Sequence, residues 1–322
     1  MFRQGELCDR AIDLGRWRVR KHRHRVAGSA RKGGLRMNQI GIVGLGRMGS
    51  AIAARLAAQG HPVAGWTRSG LTPERAEALG IARAETLPDL VAASETLILS
   101  LYDDAAVAAV LDTVLGLPLD GKLIVETSTV SPQQVQSRAA DVAAKGASIL
   151  DAPISGGPEL VAEGECGIFV GGDTAAAERF APIGAVLSDK LAHVGPLGTG
   201  VAMKIVNNGV LQGYFATLAE MMRIAKRAGL PFETALRIIA KGPAGTPMLT
   251  ARLPRMLGHE DGVGFPISGV AKDNAVFRQV ATELGVEAAT LALADALWQT
   301  GIADGLADAD VAMQLPHAYD NA

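Results

Sequence analysis

Cysteine is nearly missing from this 322-residue sequence: Cys8 and Cys166 are the only two. Two thiols make no disulfide framework, so the fold rests on burial and hydrogen bonding, and a reducing cytoplasm is the expected setting. Aromatic residues supply 4% of the chain, which leaves the core to Val, Ile, Leu and Ala and suits an α/β protein. No uncharged apolar run reaches the roughly 18 residues a membrane helix needs. The six histidines show no ligand spacing with cysteines or carboxylates, so no metal is expected. An excess of one charge is also lacking overall, but the net charge of -2 conceals an asymmetry. Residues 1–36 carry 11 Lys+Arg against 3 Asp+Glu, or +8, leaving -10 for residues 37–322. The body is acidic, so nucleic acid is not its expected partner.

The basic leader has no apolar segment of a secretory signal, and Glu6, Asp9 and Asp13 argue against a transit peptide. Residues 1–36 are read as a disordered tail translated from an upstream start codon, with an anchor for nucleic acid or an anionic surface as the alternative.

What is present is enough apolar sequence, 48% of the chain, to bury a sizeable core, and the length suits two domains. Gln39–Val43 is a short strand running into Gly44-Leu45-Gly46-Arg47-Met48-Gly49 and then a helical segment. In such a turn the first glycine permits the tight bend, the second admits a pyrophosphate to the backbone, and the third lets helix and strand pack closely. A bare GxGxxG is weak evidence, but a second strand at 62–66 completes a βαβ unit. Where that strand ends, NAD would call for a carboxylate, yet the sequence reads Trp66-Thr67-Arg68-Ser69. An arginine flanked by hydroxyls suits a 2′-phosphate, so NADP is favoured over NAD.

Residues 96–101 read as a buried parallel strand whose carboxyl end brings Leu101 and Tyr102 beside the cofactor. A further strand at 122–125 delivers Glu126-Thr127-Ser128-Thr129 before a helix from Ser131 to Gly146. Thr129 suits a contact to the nicotinamide ribose or to substrate; a turn hydroxyl capping that helix is the other reading, a task Ser131 does better. After a strand at 147–150 comes Asp151-Ala152-Pro153-Ile154-Ser155-Gly156-Gly157-Pro158. Ser155, Gly156 and Gly157 expose successive N–H groups that would hold a small carboxylate, with a flexible surface turn as an even alternative. Strands at 167–172 and 190–194, around a helix begun at Asp173, finish the first domain.

From Gly200 to Ala228 the sequence predicts one helix about 40 Å long, too long for a single layer and therefore a bridge between domains, stopped by Gly229 and Pro231. Lys204 and Asn208, four apart, share one face. A buried lysine tends to give up its proton, and an amide nearby would orient a bound group. Taken alone, a lysine with its stem along the helix and its ammonium in water is the simpler reading. Beyond lie a helix at 232–241, a loop GPAGTPML and helical segments to residue 303, with no strand pattern. Lys272 is expected to begin a helix, the simplest local reading being an exposed lysine beside Asp273. The alanine- and leucine-rich helix surfaces exceed what one domain covers and suggest a homodimer, or a dimer of dimers.

GLGRMG, DAPISGG, GTGVAMKIVNN and AKDNAVF, in this order, resemble the β-hydroxyacid dehydrogenase family from Met37 to about residue 290. The resemblance implies a Rossmann-like NADP-binding domain over residues 37–197, then an interdomain helix and all-α domain over 198–322, with the substrate cleft between. It implies Lys204 as the catalytic acid/base, Asn208 as an orienter of substrate, and Ser155, Gly156 and Gly157 around the substrate carboxylate. Thr129 would lie in the cleft and Lys272 would touch the cofactor. The reaction implied is hydride transfer between NADPH and a small aldehyde- or keto-acid. Trp66 departs from the asparagine usual in NADP-using members, and Tyr102-Asp103 from the small or proline residues usual after that strand; Tyr102 and Asp103 keep an imine reductase or reductive aminase in view, and a non-catalytic NADP-binding scaffold is the third reading. No arginine cluster marks a phosphate pocket. A truncation starting at Met37 is expected to retain the turnover of the full chain in a NADPH-oxidation assay.

Overall fold

The computed structural model describes residues 39–322, so the readings made for the leader at 1–36 fall outside it. The apolar pentapeptide Gln39–Val43 forms β1, buried throughout. It is followed by β2 (Val63–Trp66), β3 (Ala82–Arg83), β4 (Ser94–Leu99), β5 (Leu123–Glu126), β6 (Ser148–Asp151), β7 (Ile154–Ser155), β8 (Gly167–Gly171) and β9 (Lys190–Gly195). All nine join one sheet in the order β3-β2-β1-β4-β5-β6-β8-β7, with β9 paired to β8. The strands from β3 across to β6 run parallel, and β8 turns antiparallel to β6. The order reverses at β1, which pairs with both β2 and β4; a crevice beyond carboxyl ends at such a point is the usual ligand position. Helices cover both faces. One face buries Ile42, Leu45, Ile52, Leu56 and Phe180, and the other buries Val43, Leu97, Leu99, Leu111 and Ile124.

Several boundaries differ from the sequence reading. β4 ends at Leu99 rather than Leu101, because Asp103 caps a helix at Asp104–Leu115, its Oδ1 accepting the Ala106 N–H at 2.8 Å. The helix expected from Ser131 to Gly146 is two short helices, Gln133–Gln136 and Ala139–Ala144. At the break the Arg138 guanidinium donates to the Gln134 carbonyl at 3.2 Å, while the Arg138 N–H turns back to Val135. Ser131 does not cap with its side chain; its hydroxyl meets the Gln133 amide.

The bridging helix runs from Thr199 to Arg227, 29 residues, about 43 Å at 1.5 Å per residue. Gly229 at φ 75° ends it. Its first turn lies directly on the sheet: a Cβ on Gly200 would stand 2.4 Å from the Phe169 carbonyl oxygen and 2.8 Å from that of Asp151. Its second half enters a separate core, where Phe215, Leu218 and Met222 pack with Leu236, Leu249 and Trp298. Phe215 meets the Trp298 ring edge-on at a centroid distance of 5.8 Å.

Around it fold the helices Phe232–Lys241, Pro247–Met256, Ile267–Glu283, Ala289–Ala303 and Gln314–Asp320. Among the described residues no strand follows β9, and no helix is long and apolar enough to cross a membrane. Two local expectations change. The loop GPAGTPML ends at Thr246, whose hydroxyl accepts the Leu249 N–H at 3.1 Å and starts a helix at Pro247. Lys272 sits in the second turn of its helix rather than at the start, because Pro266 opens that helix at Ile267.

Replacing Gly200 by alanine pushes a methyl group into strand backbone, so a loss of about 1–3 kcal/mol and a lower Tm are expected in calorimetry. Gly46→Ala, with nothing within 4 Å of its added Cβ, should change the stability of the unliganded protein by under about 1 kcal/mol.

Candidate active site

The glycine turn after β1 shows a division of labour. Gly44 holds φ 90°, and a Cβ there would meet the Ser100 carbonyl oxygen at 2.4 Å; one on Gly49 would meet the Gly44 oxygen at 2.0 Å. Both are needed for packing. Gly46 alone opens onto free space, at the N-terminus of the helix Arg47–Ala58, which no side chain caps. A backbone that only a missing Cβ keeps open, ahead of uncapped N–H groups, fits the pyrophosphate of a dinucleotide. The Arg47 guanidinium reaches from this turn to the Val263 carbonyl and, at 3.0 Å, to the Gly264 carbonyl.

A cleft of about 1390 Å³ runs from this turn between the sheet and the helices beyond β9. It brings together every sequence-named site residue except Gly49, which lies beneath the turn. Gly44 to Met48 border it beside Thr67, Arg68 and Ser69; Leu101, Tyr102 and Thr129 form the sheet wall; Ser155 to Gly157, Lys204, Asn208 and Lys272 surround the other end. Among the described residues no hydrogen bond or ion pair engages the Arg68 guanidinium. Glu85, the carboxylate bordering the same end, is held by Arg83, whose Nε donates at 3.0 Å.

Lys204 is buried, its Nζ donating to the Thr129 hydroxyl, with Asp273 Oδ2 at 3.9 Å. Burial pushes its pKa below the usual 10.5; Asp273 opposes that push and the neighbouring Lys272 adds to it. Lys272 donates to the carbonyl oxygen of the same Thr129 at 2.5 Å and to Asp273 Oδ1 at 3.4 Å. Its ammonium also stands 5.8 Å from the centroid of the Tyr102 ring. Thus both lysines of the helical half close on one threonine of the sheet half. Asn208 Oδ1 accepts from the Ser155 hydroxyl at 3.0 Å, and Asn207 Nδ2 donates to that hydroxyl at 3.1 Å and to Asn208 Oδ1 at 2.9 Å. Gly156, at φ 126°, continues the turn along the cleft.

The sequence reading missed the residues that support these. Asp151, fully buried at the end of β6, accepts the Gly198 N–H at 2.6 Å and the Val201 N–H at 2.7 Å. It is the N-terminal cap of the bridging helix, supplied from 47 residues upstream, so local capping rules could not reveal it. Glu126 takes the Ser128 N–H at 2.6 Å, and the Ser128 hydroxyl accepts from Leu101 N–H at 2.8 Å; together they fix the turn carrying Thr129. Glu126 Oε2 is buried without a partner, and burial raises the carboxyl pKa to about 7, with the Ser128 contacts and Lys272 opposing and Asp151 adding. Asn274, within AKDNAVF, donates to Gln212 Oε1 and to the Leu291 carbonyl at 3.1 Å, locking the Lys272 helix to the bridging helix. Arg252 and Arg255 also border the cleft, beside Asp310. No arginine cluster marking a phosphate pocket was expected; two arginines of one helix do border the cleft, placed there by an aspartate more than fifty residues on that the sequence alone does not point to.

Residues 39–195 match the NAD binding domain of 6-phosphogluconate dehydrogenase, and residues 198–317 match the family described as NAD-binding of NADP-dependent 3-hydroxyisobutyrate dehydrogenase. The chain is 31% identical over 277 residues to 2-(hydroxymethyl)glutarate dehydrogenase of Eubacterium barkeri, covering 85% of this chain and 92% of that one. It is 30% identical over 270 residues to 2-hydroxy-3-oxopropionate reductase of Escherichia coli (strain K12), covering 83% and 92%. The solved structure of Mycobacterium tuberculosis 3-hydroxyisobutyrate dehydrogenase with L-serine superposes with a TM-score of 0.78 at 26% identity, covering 87% of this chain and 99% of that one.

The Glu126 geometry yields a pH dependence of stability. With a folded pKa of about 7 against the ordinary 4.5, the native state keeps a proton that the unfolded chain loses, so its contribution declines as pH rises from about 4.5 to 7. Glu126→Gln retains the acceptor for Ser128 and removes that decline. Urea unfolding should show the variant gaining up to roughly 3 kcal/mol on the wild type at pH 8, and no more than matching it at pH 4.5.

Proposed function

Because this chain belongs to the β-hydroxyacid dehydrogenase family of NAD(P)-dependent oxidoreductases, we propose that it transfers hydride between NADPH and a small aldehyde- or keto-acid. The observation carrying this reading is the buried Lys204 ammonium, bonded to Thr129 in the cleft that also contains the open Gly46 turn. Residues 37–197 would hold the cofactor, and residues 198–322 would supply the bridging helix and the second wall. The nicotinamide, when bound, supplies or accepts the hydride.

The chain's own residues account for the rest. The N–H groups of Ser155, Gly156 and Gly157 take the substrate carboxylate. Asn208, oriented through Ser155 and Asn207, aligns the substrate beside Lys204. The ammonium of Lys204 gives its proton to the oxygen that becomes an alkoxide, and in alcohol oxidation the neutral amine takes that proton back. Charge on that oxygen grows only in the transition state, so a fixed ammonium lowers the barrier instead of tightening ground-state binding. Lys272 and Asp273 hold the surrounding charge in place. Arg68, with Thr67 and Ser69 on either side, takes the 2′-phosphate that distinguishes NADP from NAD. L-Serine, the compound with which the tuberculosis dehydrogenase was solved, is itself a 3-hydroxy acid of the expected size.

An imine reductase reading is weaker. Of the two residues that suggested it, Asp103 is occupied in capping a helix, which leaves Tyr102, 67% exposed at the cleft. A scaffold without catalysis leaves a buried cleft lysine unexplained. Val206 and Val210 on the bridging helix and Leu293 nearby are exposed, in keeping with a homodimer, and the cytoplasm is the proposed compartment.

Lys204→Ala is expected to lower kcat on the order of 10²-fold or more while leaving NADPH affinity nearly unchanged; retained turnover would sink the assignment. Since the Lys204 pKa lies below its usual 10.5, carbonyl reduction should fall with rising pH through that lowered pKa, and alcohol oxidation should rise over the same interval. For the cofactor, Arg68→Ala should cut the kcat/KM ratio of NADPH over NADH about tenfold or more.

A further inference from the structure

The helix Pro247–Met256 presents Arg252 and Arg255 three residues apart on one face, and both guanidinia border the cleft. Their side chains are 18% and 20% exposed, and they share a single acid, Asp310, which is 1% exposed. Arg252 Nη1 lies 3.3 Å from Oδ1, and Arg255 Nη1 lies 3.2 Å from Oδ2. That carboxylate is already committed to the backbone N–H groups of Gly264 at 2.8 Å, Phe265 at 3.1 Å and Ala312 at 2.9 Å. Two half-buried cations therefore divide one saturated anion, and Arg255 Nε is buried with no acceptor. A guanidinium N–H buried without an acceptor costs free energy, which an arriving anion with free oxygen lone pairs would offset.

The pair stands close to the turn proposed for the substrate carboxylate. Glu159 Oε1 is 2.4 Å from where a Cβ on Gly157 would be and 2.6 Å from one on Gly264, and that second position is 3.1 Å from Arg255 Nη1. Glu159 is the other acid bordering this part of the cleft, and it forms no ion pair with either guanidinium among the described residues. Arg47 adds a further cation, though its guanidinium is directed to the Val263 and Gly264 carbonyls.

We infer that Arg252 and Arg255 form a second anion subsite, which receives the distal carboxylate of a dicarboxylic 3-hydroxy acid or semialdehyde while Ser155–Gly157 hold the proximal one. The inference rests on the dehydrogenase reading of this cleft and narrows its substrate class. A forked guanidinium suits a carboxylate better than a lysine would.

Binding without turnover tests the subsite separately from the chemistry. Glutarate and butyrate differ in one terminal carboxylate, and both can be titrated calorimetrically into the full chain saturated with NADP+. Glutarate should bind at least tenfold more tightly than butyrate; Arg252→Gln should abolish most of that difference, and Arg252→Lys should restore part of it. Equal affinity of the wild type for the two acids overturns the subsite, a result that needs no variant to fold. A Gln variant that keeps the glutarate preference but loses NADP+ affinity places the pair on cofactor phosphates and also overturns it. In turnover, 2-(hydroxymethyl)glutarate should exceed 3-hydroxyisobutyrate in kcat/KM, chiefly through KM. Tight glutarate binding with no oxidation of either acid would leave the subsite standing and reject the dehydrogenase reading instead.

Discussion

The arrangement depends on a carboxylate at the end of a strand holding the first turn of a helix. Asp151 closes β6 and takes two N–H groups from the start of the bridging helix, where four donors would otherwise lack partners. Gly200 permits the contact, since any side chain there would strike strand backbone. One turn later comes Lys204. The sheet therefore fixes the height and rotation of the helix at the point where the proposed proton donor leaves it. The packing of Phe215, Leu218 and Met222 further along secures the other half of the same rod.

Around that seat, charge is arranged in opposing pairs. Lys204 and Lys272 are both within reach of Asp273, while Glu126 and Asp151 are buried as partners on adjacent strands of the sheet. A buried ammonium next to a second ammonium is held nearer to proton release, and a buried carboxyl next to a second carboxylate is held nearer to proton uptake. The two trends are a frequent mark of functional sites. Here they have separate physical supports: one lysine is anchored by a hydroxyl, the other by a carbonyl, and Glu126 by the N–H of the turn that carries both.

Much of this was legible in the residue order. The glycine turn, the strand at 39–43 and the long helix ending before Gly229 all follow from local rules that need no tertiary context. Thr246-Pro247, a capping hydroxyl followed by proline, marks a helix start that the reading placed inside a loop. Asp151 was beyond reach because its partners lie 47 and 50 residues away. Arg252, Arg255 and Asp310 escaped for a similar reason: an i, i+3 arginine pair on a helix is ordinary surface chemistry until a distant aspartate and a cleft wall give it a location. The split at Arg138 came from a side chain taking a carbonyl, a competition that periodicity does not register.

Thr129 gives its hydroxyl to one lysine and its carbonyl to the other. A single residue of the sheet half thus measures the position of two helices of the other half at once. A swing of both helices away from the sheet would break both ammonium contacts at this one residue. Assembly of this kind behaves as a coincidence detector: the proposed proton donor keeps its place only while both helices sit against the sheet.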